Sequence, residues 1–196
     1  GTIHGLYLIE NKYYKNIKEK NPYVKFFKNE PENKNSLSGN YVISILLDSK
    51  GRLWFGTYGN GLNLLENYEN NKYVFQRFDE NDGLSNNIIY GILEDNHGNL
   101  WLSTENGLSK FNPSQKSFRN YYKNDGLLSN HFYWSAAFKD NEGIMYFGNM
   151  EGLNFFHPDS IKDYKVLPTP ILTNLKIFST PVEVGKKYYG RIILKN

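Results

Sequence analysis

Three stretches of this chain repeat one another at nearly constant spacing, and few folds accommodate that. Asp48-Ser49-Lys50-Gly51-Arg52-Leu53-Trp54-Phe55-Gly56-Thr57 is followed by Gly61-Leu62. Asp95-Asn96-His97-Gly98-Asn99-Leu100-Trp101-Leu102-Ser103-Thr104 is followed by Gly107-Leu108, and Asp140-Asn141-Glu142-Gly143-Ile144-Met145-Tyr146-Phe147-Gly148-Asn149 by Gly152-Leu153. Trp54 to Trp101 is 47 residues and Trp101 to Tyr146 is 45. Periods of roughly 40–50 residues holding four short strands each describe the blades of a β-propeller.

Each unit divides into four strands. The first is apolar (Tyr41 to Leu47, Ile88 to Leu93) and ends in an Asp-x-x-Gly turn. There Asp can cap backbone N–H groups, and Gly takes the backbone angles that close a hairpin. The second strand holds Trp54 or Trp101, the third starts at the Gly-Leu pair, and the fourth is aromatic (Tyr73 to Phe78, Ser117 to Tyr122). The loop into the next blade recurs as Asp82-Gly83-Leu84-Ser85-Asn86-Asn87 and Asp125-Gly126-Leu127-Leu128-Ser129-Asn130, with Ser36 to Asn40 a weaker copy. Gly1-Thr2 and Gly5-Leu6 match Gly56-Thr57 and Gly61-Leu62, so the chain enters inside a blade and carries a Lys-rich insertion at 11–22. At the other end His157-Pro158-Asp159 follows a third strand, and proline lacks the N–H that a ladder needs.

The expected fold is therefore all-β: a β-propeller fragment of about three and a half four-stranded blades over 1–160, with blades at 1–28, 36–78, 82–122 and 125–158. A linker at 161–170 contains Pro168-Thr169-Pro170. Residues 171–196 are expected to begin an Ig-like β-sandwich. They show loose alternation from Ile171 to Phe178, a turn at Pro181 to Gly185, and a strand from Arg191 to Leu194. Propellers close with about 4–8 blades, so open apolar blade faces should be covered by missing blades or by a second chain.

Composition narrows the function. The chain has no Cys, which excludes disulfides, thiolate catalysis and Cys-ligated zinc. It has no apolar run of about 18 residues, so no segment reads as a transmembrane helix. If the protein is exported, its signal is expected upstream of Gly1. The net charge of +3 is unevenly spread. Residues 12–34 hold seven Lys against three Glu, and 159–196 hold seven basic against three acidic groups. The repeat-bearing middle, 35–158, has nine basic and thirteen acidic groups. A nucleic-acid binder concentrates positive charge on its working surface, and this distribution argues against one. For a sugar ligand, the Lys-rich segment leaves an anionic one open while the acidic middle leans toward a neutral one.

Leu-Trp-[Phe/Leu]-[Gly/Ser]-Thr followed by Gly-Leu, with Asp-Gly-Leu-Ser-Asn before the next blade, resembles the two-component regulator propeller repeat over about residues 1–158. Ile171 to Gly185 resembles the start of the three-tyrosine β-sandwich that follows such propellers. The resemblance implies the periplasmic sensor region of a hybrid two-component histidine kinase, anchored in the inner membrane, homodimeric, and recognising an oligosaccharide to control polysaccharide-utilisation genes. Tyr146 in place of Trp, Asn149 in place of Thr and the incomplete first blade depart from the pattern. No kinase module is present, so no catalytic residue is carried over.

Trp54, Trp101 and Tyr146 recur at one strand position, which points to blade packing rather than to a ligand. The candidate ligand-binding residues lie on one rim, where the loops entering each first strand meet the loops between second and third strands. They are Tyr58, Asn86, Asn87, Glu105, Asn130, His131, Tyr133, Trp134 and Met150. Sugars are held by aromatic faces against C–H patches and by polar side chains bonded to hydroxyls. The asparagines also suit turns, where they bond their own backbone. Trp134 interrupts the small-residue pattern of an inner strand, with Tyr90 as its counterpart. Asp79 to Gly83 is read as a turn, because Gly arrives one residue too early for a calcium loop and position 12 is Tyr90. The four His show no metal spacing, and no metal or cofactor is expected. Two other functions stay open. A lyase or glycosidase would be seeded by Glu105 and His131 and revealed by turnover that Glu105→Gln abolishes. A protein-interaction scaffold would be revealed by a partner competing at the rim.

Overall fold

The computed structural model describes residues 1–9, 24–67, 73–162 and 175–192. The chain divides into two compact units, Gly1–Ile161 and Lys162–Asn196.

In the first unit, β1 (Leu6–Ile9) pairs antiparallel with β2 (Val24–Phe27) as a half-blade. The Lys-rich insertion at 11–22 lies outside the described residues. Blade one is a four-stranded antiparallel sheet of β3 (Val42–Leu47), β4 (Leu53–Thr57), β5 (Leu62–Asn67) and β6 (Val74–Phe78). Blade two repeats it with β7 (Ile89–Glu94), β8 (Leu100–Thr104), β9 (Gly107–Asn112) and β10 (Ser117–Tyr121). Blade three has β11 (Phe132–Lys139), β12 (Met145–Asn149) and β13 (Gly152–Phe156). Every connection is up-and-down, so the first strands of successive blades lie side by side.

The Asp-x-x-Gly turns explain why the repeat keeps its Asp and its ring. Asp48 accepts from the Lys50 and Arg52 N–H groups at 3.0 and 2.8 Å, and from the Trp54 indole N–H at 2.8 Å. Asp95 accepts from His97, Asn99 and the Trp101 indole at 2.9, 2.9 and 3.0 Å. Asp140 accepts from Glu142, Ile144 and the Tyr146 hydroxyl at 2.9, 2.9 and 3.0 Å. Tyr146 thus supplies a donor where the other blades supply an indole. Gly51, Gly98 and Gly143 hold φ of 76, 78 and 88°, a region costly for any residue with a Cβ. Burial alone would push the Asp48 carboxyl up. The bonds from Trp54, the Arg52 backbone and the Arg52 side chain outweigh it and hold the group below its ordinary range. Asp95 is lowered in the same way, against burial, by Asn99, Trp101 and His97.

Trp54 and Trp101 are each 1% exposed and fill successive blade interfaces. Trp54 packs edge-on against Phe111 of the next blade at 5.7 Å between ring centroids. Trp101 meets the equivalent Phe156 at 4.9 Å. Burying a ring of this size removes roughly 200 Å² from water, worth about 5 kcal/mol gross. The two interfaces differ in one respect. Phe118 on β10 stacks on Phe111 at 4.4 Å and closes the first, whereas blade three shows no fourth strand among the described residues. There a groove of about 310 Å³ opens beside Trp101, Tyr121, Phe155 and Phe156.

The described part of the second unit is two short hairpins, β14 (Lys176–Ile177) with β15 (Thr180–Pro181) and β16 (Lys187–Tyr188) with β17 (Arg191–Ile192). The strand expected to run to Phe178 stops one residue earlier, because Phe178 and Ser179 take φ of 47 and 68° at the hairpin corner. Pro181, expected to open a turn, sits instead in β15. The start of the expected strand, Ile171 to Asn174, and its counterpart's end, Ile193 and Leu194, lie outside the described residues, as does most of the linker. The sandwich stays an expectation.

Candidate functional site

One rim gathers the loops entering each blade and the loops between second and third strands. Backbone bonds sew them together. The Asn87 carbonyl accepts from Gly59 and Gly61 N–H at 3.1 and 2.9 Å, and the Asn130 carbonyl accepts from Gly107 at 2.7 Å. The Tyr58 N–H donates to the Tyr41 carbonyl at 2.9 Å, which places these two rings side by side, 5.4 Å apart.

The inner strands complete the site through their bulges. In β7, one residue, Tyr90, is squeezed out between the pairs Ile89–Thr104 and Gly91–Ser103. In β11 the bulge is wider. Residues 133–136 lie between the pairs Phe132–Asn149 and Ala137–Phe147, and Ser135 has a φ of 53°. Such bulges re-aim side chains. Here the ring of Trp134 lies over three neighbours: Tyr41 at 5.7 Å, Tyr58 at 5.6 Å and Tyr90 at 5.8 Å. Three blades therefore contribute to one aromatic ledge. Tyr90 is buried, while Tyr58 and Trp134 keep 42% and 40% of their surface in solvent. That combination leaves ring faces for a ligand. Trp54 and Trp101 have none to offer.

Glu105, on the blade-two loop, is the polar member. It accepts a short hydrogen bond from the Tyr90 hydroxyl, and its other oxygen lies 3.4 Å from His131 Nδ1. Burial pushes the Tyr90 phenol well above its usual range, and the adjacent Glu105 pushes it further, so Tyr90 stays protonated and donating. The Glu105 carboxylate is thereby held in place with lone pairs to spare.

The remaining candidates lie on the same rim. Asn86 accepts from the Ile88 N–H at 2.9 Å, Asn87 from Glu80 at 3.0 Å, and Asn130 from Lys123 at 2.7 Å. Their side-chain carbonyls are bonded within the loops, which matches the turn role open to these three residues. Tyr133 and Met150 are exposed on the same rim, and Tyr133 makes no ring contact with the ledge among the described residues. The stretch from Asp79 forms a capped 3₁₀ turn, Glu80–Asp82, ending at Gly83. No group of three metal-ligating side chains occurs among the described residues. Tyr41 and the width of the β11 bulge were missed from sequence. A signal existed: Asp82 to Asp95 spans 13 residues, whereas Asp125 to Asp140 spans 15. Those two extra residues widen the bulge that carries Trp134. Tyr90 is thus Trp134's neighbour in space, and the two do not occupy equivalent register positions.

Residues 36–59 and 83–106 match the family described as Two component regulator propeller. Blades one and two are two-component regulator propeller repeats. Histidine kinase P4 of Formosa agariphila is 32% identical over 202 aligned positions, covering 80% of this chain and 15% of that protein. The chain therefore spans about 15% of the length of this curated relative. Among solved structures, the extracellular domain of a candidate hybrid two-component system from B. thetaiotaomicron superposes with a TM-score of 0.50 at 20% identity. That match covers 81% of this chain and 26% of that one. PorZ, a surface component of the type-IX secretion system of Porphyromonas gingivalis, gives 0.63 at 16% identity, covering 80% and 23%. Both establish the propeller fold. In this regulator propeller chain, the once-per-blade residues serve packing and the ledge is built from exceptions to the repeat.

Proposed function

We propose that this chain belongs to the extracytoplasmic, periplasmic sensor region of a hybrid two-component histidine kinase. The rim ledge binds an oligosaccharide, and that binding controls polysaccharide-utilisation genes. The regulator propeller repeats and the histidine kinase relative support the first part. The observation that carries the second is the meeting of Trp134, Tyr58, Tyr41 and Tyr90 from three blades beside Glu105. Flat rings accept the C–H face of a sugar, and a fixed carboxylate orients it through hydroxyl bonds.

A site drawn from three blades also suits signalling. A ligand shifts an equilibrium only by binding two arrangements unequally, and contacts shared among blades and with a homodimer partner offer such arrangements. Glycan-array binding of the 196-residue chain tests the ledge. Retention of at least one oligosaccharide, lost in a folded Trp134→Ala variant, is expected. Retention unchanged by that substitution, or no retained glycan at all, counts against it.

A further inference from the structure

We infer that the ledge selects sugars without negative charge and turns away uronates and sulfated sugars. This rests on the oligosaccharide reading above and narrows its ligand class.

The charges around the ledge carry the inference. Glu105 stands at its edge as an acceptor, fixed by the Tyr90 hydroxyl. Among the described residues it pairs with His131 and with no lysine or arginine. The lysine on the neighbouring entry loop, Lys123, lies 3.7 Å from Glu151, which offsets its charge. Anionic sugars are bound by guanidinium or ammonium groups aimed at their carboxylates or sulfates. This rim presents an anionic acceptor in that place, within a middle segment that has nine basic and thirteen acidic groups. A carboxylate offers about four lone-pair directions, and Tyr90 and His131 each take up one oxygen of Glu105. The remaining directions can accept from hydroxyl donors. A neutral sugar stacked on Trp134 and Tyr58 supplies such donors. A uronate there brings two carboxylates together with no lysine or arginine paired to Glu105 among the described residues, which is how like charge discriminates between partners.

The test is calorimetry of the 196-residue chain with neutral hexasaccharides of glucan, mannan, xylan and arabinan. Length-matched oligogalacturonate and a sulfated galactan oligosaccharide are titrated alongside. Neutral binding at least about tenfold tighter than anionic is expected, and Glu105→Gln should narrow that ratio. An anionic oligosaccharide that binds as tightly as the best neutral one overturns the inference. So does a ratio that Glu105→Gln leaves unchanged while circular dichroism shows an intact fold. If Trp134→Ala abolishes such anionic binding, the oligosaccharide reading survives and only the charge selectivity fails. Absence of heat with every sugar overturns both.

Discussion

Three tryptophans divide between two regions of this molecule. Trp54 and Trp101 occupy the same position in successive blades, 1% exposed, each tied to the Asp of its own turn. Trp134 stands on the rim, 40% exposed, on a bulge wider than those of the other blades. What recurs once per blade is needed to build every blade interface. What occurs once answers a demand made at one place only. The interior is therefore expected to tolerate substitution badly, and the rim to tolerate it well.

The sharpest way to break that contrast is to truncate each kind of tryptophan. Trp54→Ala should cost about 4 kcal/mol of stability, measured by urea denaturation. Trp101→Ala should cost less, because its interface lacks the counterpart of Phe118 and the neighbouring groove can relax into the space. Equal losses at the two sites would show that the fourth strand adds nothing.

The turn aspartates come next. Asp48→Asn should cost about 2 kcal/mol, since two backbone donors and an indole lose a charged acceptor. The sign of the pH dependence follows from the lowered carboxyls of Asp48 and Asp95. A group depressed in the folded state stabilises above its unfolded pKa of about 3.9, and that contribution disappears as pH falls through the folded value. Stability should decline on acidification below about pH 4 and decline less steeply in Asp48→Asn. A parallel acid profile in the variant would remove Asp48 from the explanation.

Smaller effects are expected at the surface. Trp134→Ala should change stability by less than about 1 kcal/mol while removing sugar binding. Phe155, 67% exposed on the open face of blade three, should be quieter still. Phe155→Lys should stay within about 0.5 kcal/mol of the parent and reduce self-association in sedimentation, because that apolar face is where a further blade or second chain would pack.

The division between repeat and exception also decided what was legible from sequence. The four-stranded period, the Asp-x-x-Gly turns and the positions of Trp54, Trp101 and Tyr146 could all be read, because each is fixed locally and stated three times. Tyr58, Glu105, His131 and Trp134 could be placed on one shared rim from topology alone. Their assembly could not be. It depends on a bulge two residues wider than its neighbours and on Ser135 entering positive φ. Tyr41 was hidden for a different reason. It precedes β3 at a position that alternation treats as an ordinary strand residue, and it gains meaning only when Tyr58 bonds its carbonyl. Asn86, Asn87 and Asn130 could be read as ligands or as loop staples, and the bonds of the latter two to partners seven residues away could not be read from the sequence.

Tryptophan fluorescence tests the rim most directly, because Trp54 and Trp101 are sealed and Trp134 is the one indole at the ledge. Titrating the binding neutral hexasaccharide should blue-shift the emission and shield it from acrylamide, with both changes absent in Trp134→Phe. The same spectral change surviving in Trp134→Phe, or saturable binding that leaves the emission of the parent untouched, would place the ligand elsewhere.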